Sequence, residues 1–448
     1  MSQAITKRSK KSRCEVVPQP SPMIDKVPPE IMMEIFKLVV LSSEEARSHG
    51  VKAICPVNQR WNRIANVTPS LWTKVTLAYP LHPDQLSAAR KWLKASGQKA
   101  IDLGVDLCDP TWVYSDPMSA IFHPLADPTK LQSWQDTIAV VRGSEHRWRS
   151  FSIRSDIREP VYEFRQALVI RSLPLLESIS FEHYERSAGI FLWTIGSPPL
   201  FGDTDTLMPN LREVSLSAVE MDWTLAATSF RDLRKLEIKN EYSEVNLAYG
   251  QLAALLAASP RLETLDITGY RPYSHPTTPK TSLVHLPALK HFTFRWGCSP
   301  SSTCHLLTAL QIPETLETLS LVGAGSEDSA EILKCLVDLQ PEDSGDKDPS
   351  IPWISMRGLK SLSVSCTNPD FDAVINFMME VPMTELEEIR LACVDPGVLK
   401  RIAALVGGSP WSLKRFYIGH IRKGGRRWDE TRPAIDSLRN SGLQVTIG

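Results

Sequence analysis

The sequence predicts a mixed α/β protein. A short N-terminal helical domain precedes an irregular solenoid of strand–turn–helix units whose strands form one curved parallel sheet. Three observations predict it. The stretch after Pro28-Pro29 carries an apolar arc wider than an ordinary surface helix needs. A six-residue pattern, apolar-x-x-apolar-x-apolar, recurs from Trp148 to Ile418 and holds a step of 27 residues over parts of its run. The spacers between copies show apolar residues at helical spacing, and several end in proline. At 448 residues the chain has room for two or more domains. The expected division is 1–22 as a disordered basic tail, 23–72 as the helical domain and 73–448 as the repeat array.

Residues 1–22 are polar and end in Pro18-Gln19-Pro20-Ser21-Pro22, a composition that resists folding. Lys7-Arg8-Ser9-Lys10-Lys11-Ser12-Arg13 reads either as a nuclear-import signal or as a solvated basic tail. Pro28 and Pro29 then open a helix, because proline presets φ and its missing N–H is not needed in the first turn. On a helical wheel Ile31, Met32, Ile35, Phe36, Leu38, Val39 and Val40 span roughly 200°, against about 100° for a usual apolar stripe. One side of this helix can pack on its own domain, and the other side wants a partner. A polar break at Ser42–Gly50 follows. Pro56 is expected to open a second helix with Val57, Trp61 and Ile64 at i, i+4 and i+7, leaving Arg60, Asn62 and Arg63 for solvent or a partner. Thr68-Pro69 stops it, and Leu71-Trp72 returns apolar mass to the core.

These residues resemble an F-box. That family opens on Leu-Pro-x-Glu, carries an Ile-Leu/Phe pair and a Val-Cys-x-x-Trp-like centre, and closes on Leu-Trp. Val27-Pro28-Pro29-Glu30 matches the start, Ile35-Phe36 the pair, Val57-Asn58-Gln59-Arg60-Trp61 the centre and Leu71-Trp72 the end. The departures are Val27 for Leu, Asn58 for Cys and the longer polar segment Ser42–Gly50. The resemblance implies docking onto the small SKP-type adaptor of a cullin-based SCF ubiquitin ligase. It puts adaptor binding on Pro28, Pro29, Ile31, Ile35, Phe36, Val57 and Trp61, with Val57, Trp61 and Ile64 holding the helices together.

The pattern of the second part begins at Trp148/Phe151/Ile153 and Leu176/Ile179/Phe181. It runs through Leu211/Val214/Leu216, Leu233/Leu236/Ile238, Leu262/Leu265/Ile267 and Leu289/Phe292/Phe294. It continues through Leu316/Leu319/Leu321, Leu359/Leu362/Val364, Leu386/Ile389/Leu391 and Leu413/Phe416/Ile418. Trp72/Val75/Leu77 and Ile101–Val105 join early, and Val445 and Ile447 belong to a last strand. Helices are expected over 247–258, 330–339, 371–381 and 398–406, with Pro260, Pro382 and Pro410 as stops. No single strand–helix unit can bury its apolar face alone, but stacked units share a continuous core. Asp109–Lys130, Pro198–Asn210, Arg271–Pro287 and Gln340–Pro349 read as surface insertions.

In this part the chain resembles those F-box proteins whose C-terminal half is a leucine-rich-repeat solenoid, in a loose form that lacks the conventional Asn after the strand. Within each strand, the anchors at positions one, four and six point inward, so positions three, five and seven line the open face. These are Lys235, Glu237 and Lys239; Thr264, Asp266 and Thr268; His291, Thr293 and Arg295; Ser361, Ser363 and Ser365; Glu388 and Arg390; Arg415 and Tyr417. Arg and Tyr combine large contact area with directed hydrogen bonds. The expected target site is therefore Arg295, Arg390, Arg415 and Tyr417, facing an acidic or phosphorylated element of a protein target. The alternative is a solvated sheet face.

Other function classes find little support. Lys plus Arg number 50 and Asp plus Glu 51, so no basic field suits nucleic acid. There is no apolar run long enough for a membrane span and no secretory leader, which points to a cytoplasmic or nuclear setting. Eight cysteines include no Cys-x-x-Cys pair, so no metal or cofactor is expected. Cys366 and Cys393 hold equivalent places in successive units, as two small core fillers or as a redox pair. His275, His285, His291 and His305 lack ligand spacing. Gly323-Ala324-Gly325 lacks the third glycine of a dinucleotide turn, and the basic loop 422–427 is a solvated loop or a phosphate grip. No nucleophile–base motif appears, so no enzymatic activity is expected. The sequence thus points to a substrate adaptor of a ubiquitin ligase, with a protein-interaction scaffold that transfers no ubiquitin as the alternative.

Overall fold

A computed structural model describes residues 23–41, 51, 53–108, 128–155, 173–183, 208–219, 223–239, 247, 249–270, 283–296, 300–312, 314–323, 326–340, 353–366, 371–408, 411–421 and 428–447. The tail 1–22, the polar segment 42–50, the basic loop 422–427, His275 and most of the expected insertions lie outside these residues. The chain divides into two compact units, Met1–Trp72 and Thr73–Gly448.

In the N-terminal unit the helix Pro29–Leu41 begins where the two prolines place it. Met32, Phe36 and Val40, at i, i+4 and i+8, are buried. The second helix runs Gln59–Asn66 and starts later than Pro56 suggests. Asn58 is the reason: its backbone is extended and its side-chain oxygen accepts from the Trp61 amide at 2.8 Å, so it caps the helix there. Arg60, expected to be left for solvent or a partner, donates to the carbonyls of Val27 and Ile24 and ties the two helix starts together. The unit closes with Trp72, whose indole Nε1 donates to the Ala65 carbonyl at 2.8 Å, and with Thr68 Oγ1 donating to the Ile64 carbonyl at 2.8 Å.

The C-terminal unit is built on parallel strands: β1 (Lys74–Ala78), β2 (Ile101–Asp106), β3 (Trp148–Ser155), β4 (Ser178–His183), β5 (Glu213–Ser217), β6 (Lys235–Lys239), β7 (Thr264–Tyr270), β8 (Val284–His285), β9 (His291–Trp296), β10 (Leu310–Ile312), β11 (Thr318–Gly323), β12 (Trp353–Ile354), β13 (Ser361–Cys366), β14 (Glu388–Val394), β15 (Arg415–Ile421) and β16 (Gln444–Ile447). Thirteen of them form one open sheet in chain order, and β8, β10 and β12 form a second, three-stranded sheet. With eleven α-helices among the described residues, the protein is mixed α/β. In the large sheet, every ladder from β3 to β15 matches like positions of the six-residue pattern. Leu265, Phe292, Leu319, Leu362, Ile389 and Phe416, for example, lie side by side across β7, β9, β11, β13, β14 and β15.

This register makes the core. The anchors at positions four and six are buried in every strand of the pattern, in one cluster with helix residues such as Leu252, Leu256, Ile332, Leu336, Ile375, Phe377, Leu399 and Ile402. Each buried side chain of this size stabilises by about 1.5–3 kcal/mol relative to exposure. A second row fixes the same register from outside. Glu263, Lys290, Glu317, Lys360, Glu387 and Lys414 occupy position two of successive patterns and alternate in sign. They pair as Lys290–Glu263 at 2.9 Å, Lys360–Glu317 at 3.2 Å and Lys414–Glu387 at 2.7 Å. Gly358 permits one tight turn before β13, because a Cβ there would meet the Glu314 carbonyl oxygen at 2.2 Å.

Several elements depart from the expectation. The stretch read as an insertion to Lys130 already enters a helix, Pro128–Val141. Helices Pro83–Ala95, Trp223–Ser229, Pro300–Leu307 and Trp428–Asn440 and the small sheet were not anticipated. Strands of two or three residues leave no alternation to read. They pair where the chain carries buried apolar residues, Val284, Leu310 with Ile312, or Ile354, a few residues ahead of the next anchor.

Candidate functional site

The helix Pro29–Leu41 has two apolar faces. Its inner face is Met32, Phe36 and Val40; its outer face is Ile31, Ile35 and Leu38 at i, i+4 and i+7, joined by Val39. Those four are 52%, 41%, 70% and 48% exposed. Pro28 and Pro29 are exposed at the head of the same helix. Four large apolar side chains on one small unit form the kind of patch that marks a protein interaction.

Two of the expected contact residues take other places. Phe36 is 1% exposed: its ring packs 5.1 Å from the Trp61 ring, so it belongs to the unit's own core and not to its surface. Val57, expected to hold the helices together, precedes the Asn58 cap and is 54% exposed. Trp61 is half-buried, and its indole Nε1 is shielded from solvent with no hydrogen-bond partner among the described residues. Ile64 is buried as expected. Leu38 and Val39, absent from the expected contact set, complete the outer stripe; their i+7 and i+8 spacing from Ile31 was the available signal.

On the C-terminal unit, the polar face of the sheet carries the expected target residues. Arg390 on β14 lies beside Tyr417 on β15, with its guanidinium carbon 4.6 Å from the ring centroid. Glu388 and Arg415 are register partners two residues earlier on the same strands. Glu388 is buried, not open as the alternation implied, because the two guanidinium groups close over it. Arg390 Nε donates to one carboxylate oxygen, and Arg415 Nε lies 3.0 Å from the other. Ser361 on β13 adds a weaker hydrogen bond to Glu388, 3.4 Å long. The bond to Glu388 raises the hold of Arg390 on its proton. Two cations sharing one carboxylate leave one net positive charge, so the expected arginine site is less cationic than its sequence suggests.

Arg295 is exposed on β9, beside Thr268 of β7, and lies apart from the Arg390–Tyr417 group. Two acidic residues sit in adjacent register positions nearby, Glu237 and Asp266. Glu237 accepts from Lys235 at 2.8 Å, Lys239 at 3.4 Å and Ser215 Oγ at 2.9 Å. Burial acts to raise its pKa, but the hydrogen bonds from Lys235 and Ser215 and the two lysine charges outweigh it, so the carboxyl lies below its ordinary value. Burial raises Asp266, against the charge of Lys239 and a hydrogen bond from Thr268 at 3.2 Å. Thr268 is itself buried by that arrangement rather than open.

The remaining candidates gather no site. Among the described residues no His, Cys, Asp and Glu group has the arrangement of a metal centre, and no helix is long and apolar enough to cross a membrane. His285 and His291 are exposed, and His305 packs its ring 5.3 Å from Tyr249. Cys393 is a half-buried free thiol on β14; the side chain of Cys366 lies outside the described residues. The two candidate surfaces are thus an apolar helix stripe and a polar sheet face. Compared with known proteins, the chain matches no family model and no curated sequence.

Proposed function

We propose that the chain is the substrate-recognition subunit of an SCF-type ubiquitin ligase. Residues 23–72 act as an F-box that docks the SKP-type adaptor, and residues 73–448 act as a leucine-rich-repeat solenoid that holds a protein target. The observation that carries this reading is the outer stripe Ile31, Ile35, Leu38 and Val39 on a helix whose inner residues already satisfy its own unit. The in-register strand order supports the repeat reading, since each strand–helix segment adds the next row of one core. The protein performs no chemistry in this account. It raises the effective concentration of target near a ubiquitin-charged enzyme.

The target is read by the polar sheet face. Arg390 and Tyr417 form a preorganised pair there, and Arg415 stands beside them with Glu388 neutralising part of the charge. An acidic element of the target competes with Glu388 for the guanidinium donors. The experiment is co-purification of adaptor and cullin with the full chain and with an Ile31→Asp/Ile35→Asp variant. The wild type retains both proteins and the variant loses them. Equal retention by the variant, or no retention by the wild type, rejects the ligase reading and leaves the scaffold.

A further inference from the structure

Two thiols from neighbouring helices meet at one point of the C-terminal unit. Cys304 lies in the helix Pro300–Leu307 and Cys335 in the helix Ser326–Asp338, and these helices pack on each other. The Cys304 thiol donates to the Glu331 carbonyl at 3.7 Å, one turn before Cys335. The Cys335 thiol donates to the Cys304 carbonyl at 3.9 Å. Each sulfur thus reaches across to the other helix. Both residues are only half-buried, so a small reagent has access. The other free thiols described lie on other elements: Cys55 in the N-terminal unit, Cys108 after β2 and Cys393 on β14.

We propose that Cys304 and Cys335 are a hydroperoxide-reactive dithiol, a modification site at which oxidation bridges the two helices with a disulfide. Cys304 is the attacking residue. Its sulfur, as thiolate, attacks one oxygen of hydrogen peroxide; the S–O bond forms, the O–O bond breaks, and the departing hydroxide takes up the thiol proton as water. The Cys335 sulfur then attacks the Cys304 sulfur. The S–S bond forms, the S–O bond breaks, and the hydroxyl leaves with the Cys335 proton as a second water. The two sulfurs lose two electrons in all, and the peroxide gains them.

The surroundings divide the roles. The hydrogen bond from Cys335 lowers the pKa of the Cys304 thiol. The same contact, with burial, raises that of Cys335, which keeps its proton until the second step. The carboxylates of Glu331 and Asp338 act against a thiolate at either sulfur and so oppose the lowering at Cys304. The bridge closes a 31-residue loop that contains β10 and β11, and so links two successive strand–helix segments covalently.

The test treats the full folded chain with hydrogen peroxide, blocks remaining thiols, and maps the digest without reduction by mass spectrometry. The expected product is a Cys304–Cys335 cross-linked peptide, formed at least about ten-fold faster than oxidation at Cys55, Cys108 or Cys393 and reversed by dithiothreitol. In C335S the first step has no resolving thiol, so a sulfenic-acid probe labels Cys304. Two results overturn the proposal. One is recovery of Cys304 and Cys335 as separate blocked thiols after the other cysteines have oxidised. The other is preferential pairing of either residue with a different cysteine. Both are read on the wild-type chain and do not depend on the variant folding.

Discussion

Ile35 and Phe36 are neighbours on one helix, yet Phe36 is buried against the Trp61 ring and Ile35 faces outward. The 100° between successive helical residues is enough to separate a core residue from a surface residue. Replacing Phe36 by Ala is expected to cost the N-terminal unit about 3–5 kcal/mol, because it leaves a cavity beside Trp61. Hydrogen exchange over residues 23–72 reads that loss. Ile35→Asp is expected to change the same exchange by less than about 0.5 kcal/mol, since the site is exposed, while removing partner binding. A second residue-scale prediction concerns Glu388. Glu388→Gln keeps shape but removes the charge that Arg390 and Arg415 share. The expected destabilisation is about 1–2 kcal/mol, limited by the access of both guanidinium groups to water. A denaturation midpoint equal to wild type contradicts this account of the cluster.

At the scale of elements, two devices set the register of the large sheet: buried anchors on one face and alternating charges beside them. Lys290 and then the Arg234 charge hold the Glu263 carboxyl below its ordinary pKa; Lys414 holds Glu387 there, with Arg415 and Lys360 adding their charges. A carboxyl whose folded pKa is depressed contributes stability above the unfolded value of about 4.3, and that contribution disappears as pH falls through the folded value. The double variant Glu263→Gln/Glu387→Gln is therefore expected to flatten the pH dependence of stability in the window below the ordinary carboxylate pKa. High salt is expected to shrink the difference between variant and wild type, because these groups are exposed to screening. Melting curves across that window, at low and high salt, measure both effects; parallel pH profiles count against the charge ladder.

The elements also differ in how far their sequence announced them. Leu362, Ile389 and Phe416 were readable as neighbours because three anchors repeat at one step and a parallel ladder preserves it. The outward stripe of the first helix was readable as excess apolar width, with Ile31 and Ile35 on it, but the inward turn of Phe36 was not. Periodicity gives the faces of a helix; packing against Trp61 decides which face turns inward. Asn58 was visible as a departure from the F-box pattern, and its role as a cap emerged only from its geometry with the Trp61 amide. Glu388 was placed on the correct face, yet its burial depends on two arginines, one of them on the next strand, which spacing within one strand does not report. The dithiol joins residues 31 apart on two helices and has no local motif.

For the whole molecule, the account joins two units with different surfaces. The N-terminal unit has satisfied its own core and still presents an apolar stripe; the C-terminal unit presents a polar face with a paired Arg390 and Tyr417. The proposed recognition role requires such a division, with one surface for the machinery and another for the target. Titration of purified SKP-type adaptor into the full chain, followed by hydrogen exchange, tests this most directly. The account predicts saturable binding with new protection over residues 29–41, lost in the Ile31→Asp/Ile35→Asp chain while residues 73–448 keep their exchange pattern. Full binding by that variant, or adaptor protection that falls on the sheet face and spares residues 29–41, would contradict it.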